Sequence, residues 1–478
     1  MSTLSEGLEY FARFGVDDVL IRAALSRALS RGGDFAELYF EHRVAHDVGL
    51  EDGAVNRAFL HVSLGVGVRV ISGDQTGYAY TEDLESTSVC EAAATAAVIA
   101  AGAAREVTVA FAVGSRPDRY PVRRAFDEVG LAEKMPILSL IDARARSADA
   151  RVIKVRVSYA DSDGAFLLAD SEGRLAFDRQ PMARLAVGCT AEQNGRRETN
   201  HHNFAGRAGF EFFTARRMEE AADEAVRRTL FLFDATVGPA GEMPVVLAAG
   251  SSGILLHEAI GHGMEADFNR KGVSVYSDKL GKVIARPDIT IVDDGTRQNC
   301  RGAINIDDEG NEGQRTVLVK DGVLETYMHD RISAKHYGVA PTGNGRRESF
   351  RDPPLPRMRN TYMMPGPVPP EDIIKSVQRG IYAETFTNGQ VMIGAGDFTF
   401  YIKTGFLIED GKLTRPIKDT NIIGNGPQCL ERVDLVGNDF AFDEGGWTCG
   451  KDGQSVPVSL GMPTVRVSAI TVGGVNAE

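Results

Sequence analysis

Paired cysteines, surplus positive charge and long apolar runs are all missing from this chain, and each absence removes a class of protein. Its five cysteines, Cys90, Cys189, Cys300, Cys429 and Cys449, are scattered, odd in number and form no CxxC pair. That usage fits a reducing cytosol and argues against a disulfide-stapled secreted domain. Lys and Arg number 53 against 66 Asp and Glu, leaving a net charge of -13. Such a balance excludes the electrostatic footprint of a nucleic-acid or membrane-surface binder. The Ala-rich run from Ala92 to Ala104 is too short to span a bilayer and reads as a packed helix. Met1 to Glu6 carries no basic segment followed by an apolar core, so no signal peptide is expected. The expectation is a cytoplasmic protein with no membrane and no nucleic-acid partner. Its 478 residues are more than one domain needs.

What is present reads as α+β. Asp17 is placed to cap a helix carrying Ile21, Leu25, Ala28 and Leu29, which Gly32-Gly33 ends. Strands follow at Phe35–Glu41 and on either side of Asp52-Gly53, a hairpin signal. From His61 to Ile71, Val62, Leu64, Val66, Val68 and Val70 share one face, while Ser63, Gly65 and Gly67 leave the other open to close backbone approach. Residues 152–213 read as nearly all β, with turns expected at Asp161–Gly164, Ser171–Gly173 and Asn194-Gly195, and a helix over 215–233 closes this half. A linker at Val237–Gly241 divides an N-terminal α/β layered domain, 1–240, from a β-rich, barrel-like C-terminal domain, 241–478. In the second half, hairpins are expected around Asp321-Gly322 and Asp410-Gly411. The proline-rich stretch 351–370 should be extended, and a helix over 371–379 should be entered through Pro370. Asn194–Glu198 recurs as Asn344–Glu348, a repeat too short to imply duplication.

The chemistry concentrates at Leu255-Leu256-His257-Glu258-Ala259-Ile260-Gly261-His262. The metalloprotease pattern H-E-x-x-H sets two histidines four apart on one helical face. Here the second comes five later, which on an ideal α-helix turns the side chains about 140° apart, too far for one ion. A π-turn at Gly261, or a glycine-only backbone conformation there, would swing His262 back. Met243–Ala249 reads as a buried strand broken by Gly250, and Ser251 or Ser252 could cap the helix. The plain alternative is a buried helix with two satisfied histidines; Glu258 beside His257 weighs against it. Catalytic zinc takes three protein ligands and keeps a fourth position open. Spacing leaves Glu265, Asp267, His329, His336 and Cys449 all available as the third.

These residues carry a resemblance. The motif His257-Glu258…His262, with Asp307–Gly310, Thr342–Arg347, Asn360–Met363, Ile423–Pro427 and Thr448–Lys451, is similar to the TldD/PmbA family of metalloproteases, and the likeness runs over nearly the whole chain. It implies a cytoplasmic zinc metallopeptidase of the metal-bearing type, with Zn²⁺ on His257, His262 and Cys449. Glu258 would be the general base that takes a proton from water and passes it to the leaving amine. His329, Tyr337 and Arg346 are candidates to contact the substrate or its oxyanion. The resemblance also implies a heterodimer with a PmbA/TldE-like subunit, or a homodimer of this chain alone, acting on flexible or modified peptides and labile regulatory proteins. Two alternatives stand beside it: an amide hydrolase acting on non-peptide substrates, and a binding subunit without activity of its own.

Overall fold

Period-two alternation along six long strands decides what each face of the first sheet meets. The computed structural model describes residues 3–113 and 116–474. Gln75–Thr81, Ala54–Ser72, Phe35–Glu51, Val152–Asp170, Arg174–Gln193 and Arg196–Gly206 pair in that spatial order, all antiparallel. Their joints are mostly the expected ones. Asp52-Gly53 and Asn194-Gly195 take positive φ (51° and 76°; 54° and 79°), as two-residue hairpins require. Asp17 caps the helix Asp18–Ala28, accepting from the Leu20 N–H at 2.8 Å.

On one face Leu38, Phe40, Leu167 and Phe177 pack against helices Asp18–Ala28 and Ser86–Ala96. Farther along that face Val48, Val157, Leu185 and Val187 meet Leu131–Ala148 and Ala215–Asp234. The opposite face, through Tyr39, Phe166 and Leu168, rests on Ile306 and Phe350 of the C-terminal half. Gly65 and Gly67 allow that docking, because a Cβ on either would run into Phe350. Four buried charges cross the same boundary: Arg69 pairs with Glu37 at 2.8 Å and with Glu309 at 2.7 Å, and Arg347 pairs with Glu37 at 2.6 Å.

Three expectations are corrected here. Asp161–Gly164 is not a turn but the middle of the strand Val152–Asp170, because its polar side chains find partners in place. Asp161 binds His46 Nδ1 at 2.7 Å and Lys134 Nζ at 2.6 Å, and Asp163 pairs with Arg179. The apolar alternation of Val62–Val70 is buried only from Val66 onward; Val62 is 61% exposed, because the hairpin Phe35–Ser72 projects beyond the helices. The helix after Pro369 covers Pro370–Lys375 and is shorter than expected, since residues from Arg379 onward are drawn into a strand.

The C-terminal half joins two curved sheets. Arg379–Met392, Gly241–Leu247, Val465–Gly474, Thr420–Asn425 and Asp397–Glu409 pair in sequence, and the last pairs back with the first, closing a five-stranded barrel. Beside it stands an open sheet ordered Val323–Leu324, Arg315–Lys320, Ile291–Asp294, Asn360–Met363, Ser459–Met462 and Ala441–Asp443. The hairpins at Asp321-Gly322 and Asp410-Gly411 turn with positive φ at both residues. The motif helix is wedged between barrel and open sheet, with Leu255, Leu256, Ala259 and Ile260 in their shared core.

Candidate metal centre

The strand Gly241–Leu247 delivers the chain to Gly250, at φ 81°, where it turns into the helix Gly253–Leu256. Neither serine caps it through its side chain: Ser251 Oγ donates to the Glu384 carbonyl, and the Ser252 hydroxyl is buried without a partner. Tight packing fixes the entry instead, since a Cβ on Gly253 would meet the Gly461 backbone nitrogen at 2.7 Å. From His257 to Gly261 the helix widens into a π-turn, and the His262 N–H donates to the His257 carbonyl. That five-residue hydrogen bond lets a spacing of five bring the side chains together as four does in an α-helix. The two imidazoles stand 5.1 Å apart, edge to face. Gly261 itself is right-handed, at φ -59° and ψ -50°, so its lack of a side chain answers a different need. A Cβ there would collide with Met358 Sδ.

Cys449 arrives from the other end of the chain on a short hairpin, Thr448–Lys451 with Gln454–Pro457. Its Sγ lies 3.4 Å from His262 Nε2, and one ligand atom from each of His257, His262 and Cys449 falls within 4.8 Å of the others. All three residues are buried. Two ligands at zinc distances of about 2.1 and 2.3 Å and a tetrahedral angle would be about 3.5 Å apart. His257 Nδ1 is buried with no hydrogen-bond partner, although buried polar atoms are normally satisfied. Distances and donor types together fit a tetrahedral metal.

A second layer orients these groups. Glu265 Oε2 sits 3.0 Å from His262 Nδ1, which leaves Nε2 facing the thiol. Lys451, on the same face of the hairpin as Cys449, contacts Glu265 at 3.1 Å and Asp267 at 2.7 Å. Arg357 Nη2 reaches both the Cys449 carbonyl, at 2.7 Å, and its sulfur, at 3.3 Å. Burial alone would raise the Cys449 thiol, but His257 and His262 outweigh it and hold it well below its ordinary range. Burial likewise raises Glu265, yet Lys451 and His262 bring it down to about 2. Burial would lower His262, but Glu265 and Cys449 outweigh it and hold it well above its ordinary range; a cation, which needs the thiolate and a neutral imidazole, would displace that proton. Glu258 lies at the rim, its side chain 21% exposed, with Oε2 4.0 Å from His262 Nε2.

The other sequence candidates fall elsewhere or into support. Glu265 and Asp267 belong to the second layer. His329 is buried against Tyr327 and Tyr337, and burial pushes it down to about 4. Tyr337 in turn meets the exposed His336 edge to face. Among the described residues, no hydrogen bond joins His329, His336 or Tyr337 to the His257, His262 and Cys449 group. Arg346 is closer in connection, bridging the Met358 and Pro457 carbonyls at 2.6 Å each. Sequence reasoning missed Lys451 and Arg357 as supports. A signal existed for the first, because Cys449 and Lys451 share a face at strand period two; Arg357 carried none.

Comparisons with known proteins place this geometry. Three family models match in order: PmbA/TldA metallopeptidase domain 1 over residues 36–100, the central domain over 124–231, and the C-terminal domain over 240–474. A metalloprotease TldD homolog of Haemophilus influenzae is 42% identical over 453 residues, 93% of this chain and 94% of that one. A metalloprotease of Methanocaldococcus jannaschii is 32% identical over 91% of this chain and 96% of its own. Among solved structures, a candidate DNA gyrase modulator from Thermotoga maritima superposes with a TM-score of 0.78 at 22% identity, covering 97% of this chain and all (100%) of that one. TldE from Thermococcus kodakarensis does so with 0.75 at 18%, covering 96% and 99%. The chain, whose His-Glu helix and distant cysteine meet in one buried cluster, belongs to the TldD/PmbA family of metallopeptidases.

Proposed function

We propose that this chain is a cytoplasmic zinc peptidase in which His257, His262 and Cys449 hold the ion and Glu258 is the general base. The observation that carries the reading is the convergence of two imidazoles and one thiol within 4.8 Å, buried, with a carboxylate at the rim. A soft thiolate with two imidazoles is a donor set suited to zinc. Bound zinc would supply a Lewis acid that polarises a scissile carbonyl and acidifies a water. The rest falls to the protein. Glu265 holds His262 in the tautomer that offers Nε2 inward, and Arg357 and Lys451 balance the negative charge gathered there. Glu258, partly open to solvent, takes a proton from the attacking water and returns it to the departing amine.

Substrates on this reading are flexible or modified peptides and labile regulatory proteins. The C-terminal half is rich in short strands, and an extended peptide can add to a sheet edge through main-chain hydrogen bonds with little regard for sequence. A PmbA/TldE-like subunit is the proposed partner. In support, the projecting hairpin leaves Leu60 and Val62 each 61% exposed on one strand face, and Phe59 54% exposed on the other, apolar surface of the kind a second subunit covers. Among the described residues no helix is long and apolar enough to cross a membrane.

The test is metal content and peptide cleavage measured on the same preparations. Purified chain should carry about one zinc, and Cys449→Ser should lose it. Co-expressed with its partner, the chain should degrade an unstructured peptide and leave a compact folded domain uncut. Hydrolysis of N-acyl amino acids in preference to peptides would favour an amide hydrolase, and stoichiometric zinc with no hydrolysis would favour a binding subunit.

A further inference from the structure

A cavity of about 250 Å³ opens between the first sheet and the hairpin that carries Cys449. Its wall includes Arg43, Arg207, Arg301, Arg346, Arg347 and Arg359 against only two carboxylates, Asp308 and Glu348. Both carboxylates already have work. Asp308 accepts from the Arg347 backbone N–H at 2.9 Å, and Glu348 from the Ser455 N–H at 2.7 Å. Arg347 and Arg43 have their own partners in Glu37 and Glu41, at 2.6 and 3.3 Å. Arg346 and Arg359 donate to backbone carbonyls.

Arg207 and Arg301 are left over. Among the described residues neither lies within ion-pair distance of a carboxylate, although they are only 3% and 9% exposed. The Nε of each and Nη1 of Arg301 are buried with no hydrogen-bond partner. The remaining Arg301 nitrogen, Nη2, donates to Thr448 Oγ1 at 3.1 Å, one residue from the proposed metal ligand Cys449. Gly446 leaves room for this guanidinium, since a Cβ there would meet Nη1 at 2.9 Å. Burial, with Arg184 and Arg207 pushing the same way, brings Arg301 down to about 9. Thr448 and Ser455 on the cavity wall are exposed, so it can be reached from solvent. Buried cations with unused donors are normally matched by an anion.

We propose that this arginine-lined cavity is a substrate subsite that receives a carboxylate of the bound peptide, either its free C-terminus or an Asp or Glu side chain. The proposal rests on the peptidase reading. Thr448 and Cys449 are successive strand residues and point to opposite faces, so the carboxylate sits across the strand from the thiolate. That separation is about 10 Å, or some three extended residues from the scissile bond.

Binding to the full zinc-loaded chain carrying Glu258→Gln, which keeps peptides intact, tests it. Four fluorescent peptides of one sequence are compared by anisotropy: free acid, C-terminal amide, and amides with an internal Glu or Gln. The free acid, the Glu peptide or both should bind about tenfold tighter than their neutral counterparts. Adding Arg301→Gln or Arg207→Gln should erase that preference, and Arg301→Lys should restore part of it. Which acidic peptide is preferred identifies the source of the carboxylate. Equal binding of all four peptides, or a preference untouched by both Gln substitutions, overturns the subsite. If the variants fail to fold, inorganic phosphate decides on the chain with its arginines intact: displacement of the acidic peptide but not the amide supports the subsite, and no displacement overturns it. Failure of the peptidase reading looks different, as an acid preference in binding with no cleavage by the unsubstituted chain co-expressed with its partner.

Discussion

Glu258 and the three proposed ligands differ in what their loss removes. Glu258→Ala should leave zinc bound and lower peptide hydrolysis by about 10²–10⁴-fold, the usual worth of a positioned base. His257→Ala, His262→Ala and Cys449→Ser should lose the metal itself, read as zinc per chain by atomic spectroscopy. If Glu258→Ala were as metal-free as the histidine variants, its assignment as base would be wrong. Glu265 makes a subtler test, because it touches His262 Nδ1 and not the site. Glu265→Gln should weaken zinc about 10–100-fold in chelator competition while the fold survives. At this scale the sequence was informative for His257, Glu258 and His262, whose types and spacing state a chemistry. It was silent on Arg357, because one arginine among many bears no mark of the sulfur it faces.

The motif helix shows how an element solves a spacing problem. A left-handed glycine and a π-turn were both open from the sequence; the π-turn is what forms, and Gly261 remains in ordinary helical conformation. The glycine is needed for space. Gly261→Val should therefore weaken metal binding through its clash with Met358, and Met358→Ala should recover much of the loss, a coupling that a purely conformational role would not produce. The double-mutant cycle in zinc affinity is the measurement. Elsewhere, turn residues misled where partners were out of view: Asp161 and Asp163 continue a strand because Lys134, His46 and Arg179 receive them.

Across the molecule, stability rests on the face of the first sheet turned from its helices, and the proposed assembly on the projecting end of the other face. Arg347→Ala removes one of two buried arginines that pair with Glu37 at the junction of the halves. Breaking a buried pair from one side costs about 3–5 kcal/mol, so the urea midpoint should fall accordingly, with zinc content retained in the fraction that stays folded. The projecting hairpin makes a separate prediction. Leu60, 61% exposed, contributes nothing to the described core, so Leu60→Asp should leave the thermal midpoint nearly unchanged while abolishing co-purification with a PmbA/TldE-like subunit. Unaltered co-purification would move the interface elsewhere.

Local chemistry was legible in the sequence wherever short-range rules apply: the Asp17 cap, the hairpins at Asp52-Gly53, Asn194-Gly195 and Asp410-Gly411, the α+β class, and a histidine pair one residue out of helical step. Two copies of one pentapeptide mark where that reach ends. Asn194–Glu198 begins in a surface turn with Asn194 at φ 54°, while in Asn344–Glu348 the pair Gly345–Arg346 forms a buried strand and Arg347 joins the ion network. The same five residues have the same propensities, so only the surrounding structure can choose between these states. For the same reason five residues remained open as a third ligand. Tertiary structure turned Glu265 and Asp267 into supports, kept His329 with its tyrosines, and brought Cys449 against a histidine 187 residues earlier in the chain. Such a contact depends on how barrel and open sheet pack around the motif helix, and no local pattern encodes it.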